Sequence, residues 1–233
     1  MKILVLGDIH NEFGRLNDLL HKKRPDLIIS TGDFGYWPNW PGSDKIERIN
    51  THGAKLLFCD GNHDDHWALR DRESDELAPN IIYMPRGSTY ELDDGRTILF
   101  MGGAHSIDKH LRTMGWDWFP EEVIRPVDMM NLPEIKVDIF ITHTCPEELV
   151  HDLVKIYPGK VGEPSNTALS ELRKIYKPKL WIFGHWHHYK EGTLFGTQWY
   201  ALSYPSEGTR WWMWLPGKED VGESGIEKEI EAV

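Results

Sequence analysis

Five short apolar runs set the rhythm of the chain, at residues 2–6, 27–29, 55–58, 137–141 and 180–183. Each is rich in β-formers and lacks polar alternation, the pattern of strands buried on both faces. Between them lie helix-period segments. Phe13, Leu16, Leu19 and Leu20 mark one apolar face, which must end near Arg24-Pro25 because the residue before a proline avoids the helical region. Ile46 and Ile49 predict a second helix before the third run. A third is predicted with Ser165 or Asn166 as its cap, an inner face of Ala168, Leu169, Leu172, Ile175 and Tyr176, and Pro178 beyond its end. Strand, helix and strand in alternation imply parallel strands joined by helical crossovers.

A different texture fills residues 80–105 and the last third of the chain. Two strand-like pieces, 81–84 and 89–92, precede Asp93-Asp94-Gly95 and the apolar stretch 96–100, and an Asp-Gly step between such runs signals a hairpin. Pieces at 193–195, 198–202 and 210–215 repeat the pattern, divided by Gly-Thr and Pro-Ser-Glu-Gly turns. Parallel units mixed with hairpins predict an α/β chain of four layers, an αββα sandwich of two mixed β-sheets flanked by helices. Residues 1–215 read as one domain, and 216–233 as an acidic, loosely held tail.

Composition narrows the function. The net charge of −11 disfavours loose attachment to nucleic acid backbone or anionic membrane. No apolar run approaches the ~20 residues of a bilayer span, and no basic-then-apolar leader is present. The cytoplasm is therefore the expected compartment. Cys59 and Cys145 have no paired spacing and read as buried thiols. Twelve histidines are many for this length and direct attention to metal chemistry.

Every one of the five apolar runs is followed closely by a group able to hold a metal. In order these groups are Asp8, His10, Asp33, Asn62, His63, His143, His185 and His187. In sheets of parallel strands, ligands collect beyond the carboxyl ends of the strands. Carboxylate, imidazole and amide oxygen without thiolate suit Mn²⁺, Fe²⁺ or Zn²⁺. So many candidate ligands exceed one tetrahedral shell but suit two ions sharing a bridging group.

Asp8-x-His10, Gly32-Asp33, Gly61-Asn62-His63-Asp64, His143 and Gly184-His185-x-His187 together resemble the five-block signature of the calcineurin-like metallophosphoesterases, in order and with no block missing. The resemblance implies two divalent metal ions, Mn²⁺ first with Fe, Zn²⁺ or Ni²⁺ as alternatives. Asp8, His10 and His187 would hold one; Asn62, His143 and His185 would hold the other; Asp33 would bridge them. It implies attack on phosphorus by a metal-bridging hydroxide, with His63 as the catalytic group that protonates the leaving oxygen or steadies charge. Protein phosphatases of the family carry a histidine-orienting aspartate and a phosphate-binding arginine soon after the second block. Here Phe34-Gly35-Tyr36-Trp37-Pro38 follows Asp33, with neither. The likeness is thus to the phosphodiesterase-like branch, and Asp64 becomes the residue expected to orient His63.

Residues 102–109 and 116–122 are similar to an insert of small stand-alone bacterial and phage phosphoesterases of this family. They predict a substrate wall in which Lys109 or Arg112 reaches a phosphate. Trp37, Trp40, Trp116 and Trp118 read equally well as stacking partners for a nucleobase and as loop packing. The expected activity is hydrolysis of a small phosphodiester or phosphomonoester, nucleotides included. The alternatives are a metal-dependent nuclease, disfavoured by the absence of a basic stripe, and a catalytically silent binding scaffold, disfavoured by the complete ligand set. A small phosphoester is the expected partner, with no extended nucleic acid surface and no membrane.

Overall fold

In the computed structural model, residues 1–130, 132–154, 163–207 and 210–221 are described. The tail expected over 216–233 lies outside the described residues from position 222 onward. Among the described residues the strands form two six-stranded sheets. The first has the order β12 (Trp212–Trp214), β1 (Ile3–Leu6), β2 (Leu27–Ser30), β3 (Lys55–Phe58), β5 (Ile81–Tyr83), β4 (Glu76–Ala78). The second runs β10 (Lys190–Leu194), β11 (Thr197–Ala201), β9 (Leu180–Phe183), β8 (Ile139–Thr142), β7 (Thr97–Met101), β6 (Thr89–Glu91). Both are parallel at the centre and antiparallel at their margins, so each of the five apolar runs becomes a strand with at least one parallel neighbour.

Side-chain parity builds the layers. Successive residues of a strand point to opposite faces. Ile3 and Val5 of β1 face the other sheet and pack with Ile29, Leu57, Phe100, Ile141 and Ile182. Leu4 and Leu6 face outward onto α1 (Phe13–Lys23), which buries Phe13, Leu16, Leu19 and Leu20. The outer face of the second sheet, with Phe140, Trp181 and Phe183, is covered by α3 (Glu147–Val154) and α4 (Pro164–Tyr176). Helix, sheet, sheet, helix is the predicted sandwich.

Local details depart from the pattern. Ile46 opens and Ile49 caps a single 3-10 turn over Ile46–Arg48, in place of the predicted helix. Their i, i+3 spacing is the period of that tighter helix as much as of the α form. A short α2 (His66–Arg70) appears instead, capped by the Asp65 side chain on Ala68 N. Helix α4 is capped by Glu163, because Pro164 suits its first turn. Ser165 and Asn166 therefore lie inside the helix, where Ser165 Oγ accepts from Ile124 N and Asn166 Nδ2 donates to Cys145 O. Ile175 falls off the inner stripe and is exposed. Both cysteines are free and buried. Val221 is buried in the core between the sheets, and Arg96 Nη1 donates to Pro216 O. No helix among the described residues is long and apolar enough to cross a membrane.

Candidate metal centre

The carboxyl ends of β1, β2 and β3 in one sheet and of β8 and β9 in the other converge on one point. Asp8, His10, Asp33 and His187 each bring a ligand-type atom there, all within 4.8 Å of one another. His187 Nε2 lies 3.1 Å from Asp8 Oδ2 and 2.9 Å from His10 Nε2. His10 Nε2 is 3.7 Å from Asp33 Oδ2. On the other side of Asp33, His143 Nε2 is 3.2 Å from its Oδ1 and 3.1 Å from Asn62 Oδ1. The His185 ring stands 5.0 Å from that of His143, and its backbone N–H donates to the Asp8 carboxylate. The residues read from the five motifs are thus brought together, with Asp33 between two groups of them.

The backbone is bent to achieve this. His10, Asp33, His185 and His187 all adopt positive φ, between 44° and 67°. Non-glycine residues seldom adopt this left-handed region, and such strain concentrates at functional sites. The motif glycines serve close approach. A Cβ on Gly61 would collide with Asp33 Oδ1, and one on Gly184 with Asp8 Oδ1. Each glycine lets a carboxylate lie against the neighbouring strand end.

Electrostatics match a cation site. Burial alone would push Asp33 up, but His143, His63 and His10 outweigh it and hold the carboxyl well below the usual range. Burial works against charge on His143, yet Asp33 and Asp8 overcome it and push the imidazole up to about 9. Asp33 Oδ2 is buried and has no hydrogen-bond partner. A buried, unpartnered carboxylate oxygen facing imidazole nitrogens is costly unless a positive charge satisfies it. The residues fit a divalent metal.

His63 lies beside this group, its ring 5.2 Å from that of His10 and its backbone N–H 2.7 Å from Asp33 Oδ1. Burial, opposed by Asp33 and reinforced by Arg112, lowers it to about 4. Asp64 does not orient it. That buried carboxylate accepts backbone N–H groups from Phe34, Gly35, Tyr36 and Gly61, clamping two loops together. Arg112 contacts His63 instead, with Nη2 2.9 Å from Nε2, while Asp108 and Asp117 O hold the guanidinium. Lys109 is exposed and lies against Trp118, its Nζ 6.0 Å from the ring centre.

His63 and Arg112 also line a groove of about 430 Å³, together with Asn11, Asp117, Trp37 and Trp40. Asn11 fixes the tryptophan loop to the end of β1, donating to Gly35 O and Asp44 O and accepting from Asp44 N. Trp40 packs on Trp116 at 5.0 Å, and Trp37 approaches Phe119 at 6.1 Å.

Three residues outside the motifs support the site. Arg86, its side chain 6% exposed, donates Nε and Nη2 to Asp60 Oδ2 and reaches Glu121 O, Glu122 O, Val123 O and the Asp128 carboxylate. Glu122 and Ser106, both buried, sit behind Asn62. The only hint in sequence was the texture of the 102–122 segment, since no spacing links positions 60, 86, 106 and 122.

Comparison with known proteins agrees with this geometry. The chain is 27% identical to a lariat debranching enzyme of Schizosaccharomyces pombe, with 80% of this chain and 48% of that protein covered. It is 24% identical to the lariat debranching enzyme of Gallus gallus, over 80% of this chain and 42% of the other. It thus spans about half the length of these curated relatives. Among solved structures, phosphopantetheinyl hydrolase from Mycobacterium tuberculosis shares the fold with a TM-score of 0.54 and 14% identity, covering 94% of this chain and 97% of the other. The model of the calcineurin-like phosphoesterases matches residues 1–189, which contain every strand-end motif, and the chain belongs to that family of metal-binding hydrolases.

Proposed function

We propose that the chain is a phosphoesterase with two divalent metals that hydrolyses small phosphodiesters, nucleotide esters among them. The observation that carries the reading is Asp33. Its Oδ2 lies 3.7 Å from His10 Nε2 and its Oδ1 3.2 Å from His143 Nε2, so each carboxylate oxygen faces a histidine of a different candidate ligand set. In the proposal Asp8, His10 and His187 would hold one ion, Asn62, His143 and His185 would hold the other, and Asp33 would be shared between them. Bound divalent ions would supply Lewis acidity for a phosphoryl oxygen and lower the pKa of water, with Mn²⁺ proposed first from the family resemblance and Fe, Zn²⁺ or Ni²⁺ as alternatives.

The remaining groups act on the ester. Arg112 offers charge-assisted hydrogen bonds to a non-bridging phosphate oxygen. An incoming phosphate anion beside His63 favours the protonated imidazole, so His63 becomes a donor to the leaving oxygen. The same groove is lined by Trp37 and Trp40, whose indoles suit a flat ring carried on the ester, such as the nucleobase of a nucleotide. The test is hydrolysis of cyclic and linear nucleotide diesters and of generic phosphoesters across Mn²⁺, Ni²⁺, Zn²⁺ and Mg²⁺. Turnover with at least one ion, lost in Asp33→Ala, is expected; no hydrolysis of any ester with any ion would refute the proposal.

The similarity to lariat debranching enzymes favours a second reading, cleavage of a branch-point diester in RNA. The net charge of −11 opposes prolonged contact with a nucleic acid backbone. Cleavage of linear and branched oligonucleotides over a salt series separates the readings, because a backbone-bound substrate loses affinity steeply with salt.

A further inference from the structure

Asn62 is the neutral member of its group, and an amide can present either end. Its Nδ2 donates to Ser106 Oγ at 3.0 Å, which leaves Oδ1 toward His143 Nε2. The serine hydroxyl has one proton, and that proton is committed elsewhere: Ser106 Oγ donates to Glu122 Oε2 at 2.6 Å. Glu122 Oε1 accepts the Ser106 backbone N–H at 2.8 Å, so carboxylate and serine are doubly joined. Asn62, Ser106 and Glu122 are each no more than 3% exposed, which removes water as a substitute partner. With its proton spent on Glu122, Ser106 can only accept from residue 62. A carboxylate there would set oxygen against oxygen, whereas an amide supplies the donor and turns its own oxygen to the site.

We infer that Ser106 and Glu122 are positioning residues that fix the amide of Asn62 with its oxygen toward the metal centre. The inference rests on the two-metal reading proposed above. Arg86 fixes this relay to the core of the fold, since its guanidinium binds Glu121 O and Glu122 O while gripping Asp60 just before the Gly61-Asn62 step. Residues that orient metal ligands from behind typically change metal affinity by roughly 10–100-fold when removed.

The experiment is titration of the metal-free protein with Mn²⁺ alone, followed by calorimetry and by metal content after equilibrium dialysis. Wild type, Ser106→Ala, Glu122→Gln and Ser106→Thr are compared, with circular dichroism melting to monitor the fold. Two ions are expected in wild type. Ser106→Ala and Glu122→Gln should weaken one of them by roughly 10–100-fold and leave the other unchanged. Ser106→Thr, which keeps the hydroxyl, should restore the weaker site. A merely structural role would lower the melting temperature and spare this selective loss. Two ions of wild-type affinity in both Ser106→Ala and Glu122→Gln would overturn the inference alone. Fewer than two ions in wild type would overturn the two-metal reading and the inference with it. Should Ser106→Ala fail to fold, the near-isosteric Glu122→Gln decides the matter.

Discussion

Arg86 and Asp60 meet through two hydrogen bonds to a single carboxylate oxygen, at 2.6 and 3.0 Å, with the Asp60 side chain fully buried. Tyr83 donates to the other oxygen at 2.8 Å. The pair joins the end of β3, which carries Asn62 and His63, to the segment carrying Glu121 and Glu122. It holds the floor of the site to one of its walls.

Removing one partner of such a pair leaves a buried charge uncompensated, which typically costs about 3–5 kcal/mol. Arg86→Ala should lose that much in a urea or guanidinium unfolding curve. Arg86→Lys should recover little, because an ammonium cannot span the carboxylate and three carbonyls together.

The same pair predicts an acid limb. Burial raises the Asp60 pKa, but Arg86 and His66, with the hydrogen bonds from Arg86 and Tyr83, bring it down from 3.8 to about 2. The folded value lies below the unfolded one, so the stabilisation is complete above about pH 4. It falls away as the pH drops toward 2. A shift of that size corresponds to about 2 kcal/mol. Melting temperatures measured from pH 5 to 2 should fall more steeply for wild type than for Asp60→Asn.

Asp33→Ala should abolish ester hydrolysis, by roughly 10²–10³-fold or more, since His10, His63 and His143 all face this carboxylate. His143→Ala should behave alike. Steady-state rates with Mn²⁺ and metal content by mass spectrometry check both variants.

Arg112→Ala should lower kcat/KM by about 10²-fold, the usual effect of deleting one donor to a developing charge. Trp40→Ala should act on KM instead, and only for nucleotide esters. Base–aromatic stacking is worth about 1–3 kcal/mol, which corresponds to roughly 5–150-fold in affinity. An aliphatic diester should be processed equally by both proteins, and paired kinetics with the two substrates read the difference.

The strands and the gathering of their strand-end groups were legible because both leave local marks, an apolar run and then a glycine beside an aspartate or histidine. The Asp93-Asp94-Gly95 hairpin between β6 and β7 was legible for the same reason. The Ile46–Arg48 turn was not, since an i, i+3 pair fits either helical period. Nor was the start of α4, where two good cap residues stand just inside Pro164. The partner of His63 was misread as Asp64 because adjacency in sequence says nothing of where a carboxylate points; Asp64 turns toward the loop of Phe34–Tyr36. Arg86, Ser106 and Glu122 are joined only by tertiary contacts, and no periodicity announces them.

The division of the site between sheets has a thermodynamic corollary. Asp8, His10, Asp33 and Asn62 follow strands of one sheet, while His143, His185 and His187 follow strands of the other. An ion held by residues of both would act as a rivet through the sandwich, binding only when the two layers are docked in register. Ligand that binds only the assembled state adds about 2.7 kcal/mol at one hundred times its dissociation constant. Chelation should therefore lower the melting temperature of the whole molecule, so that loss of the ion registers as loosening of two sheets whose own packing is apolar.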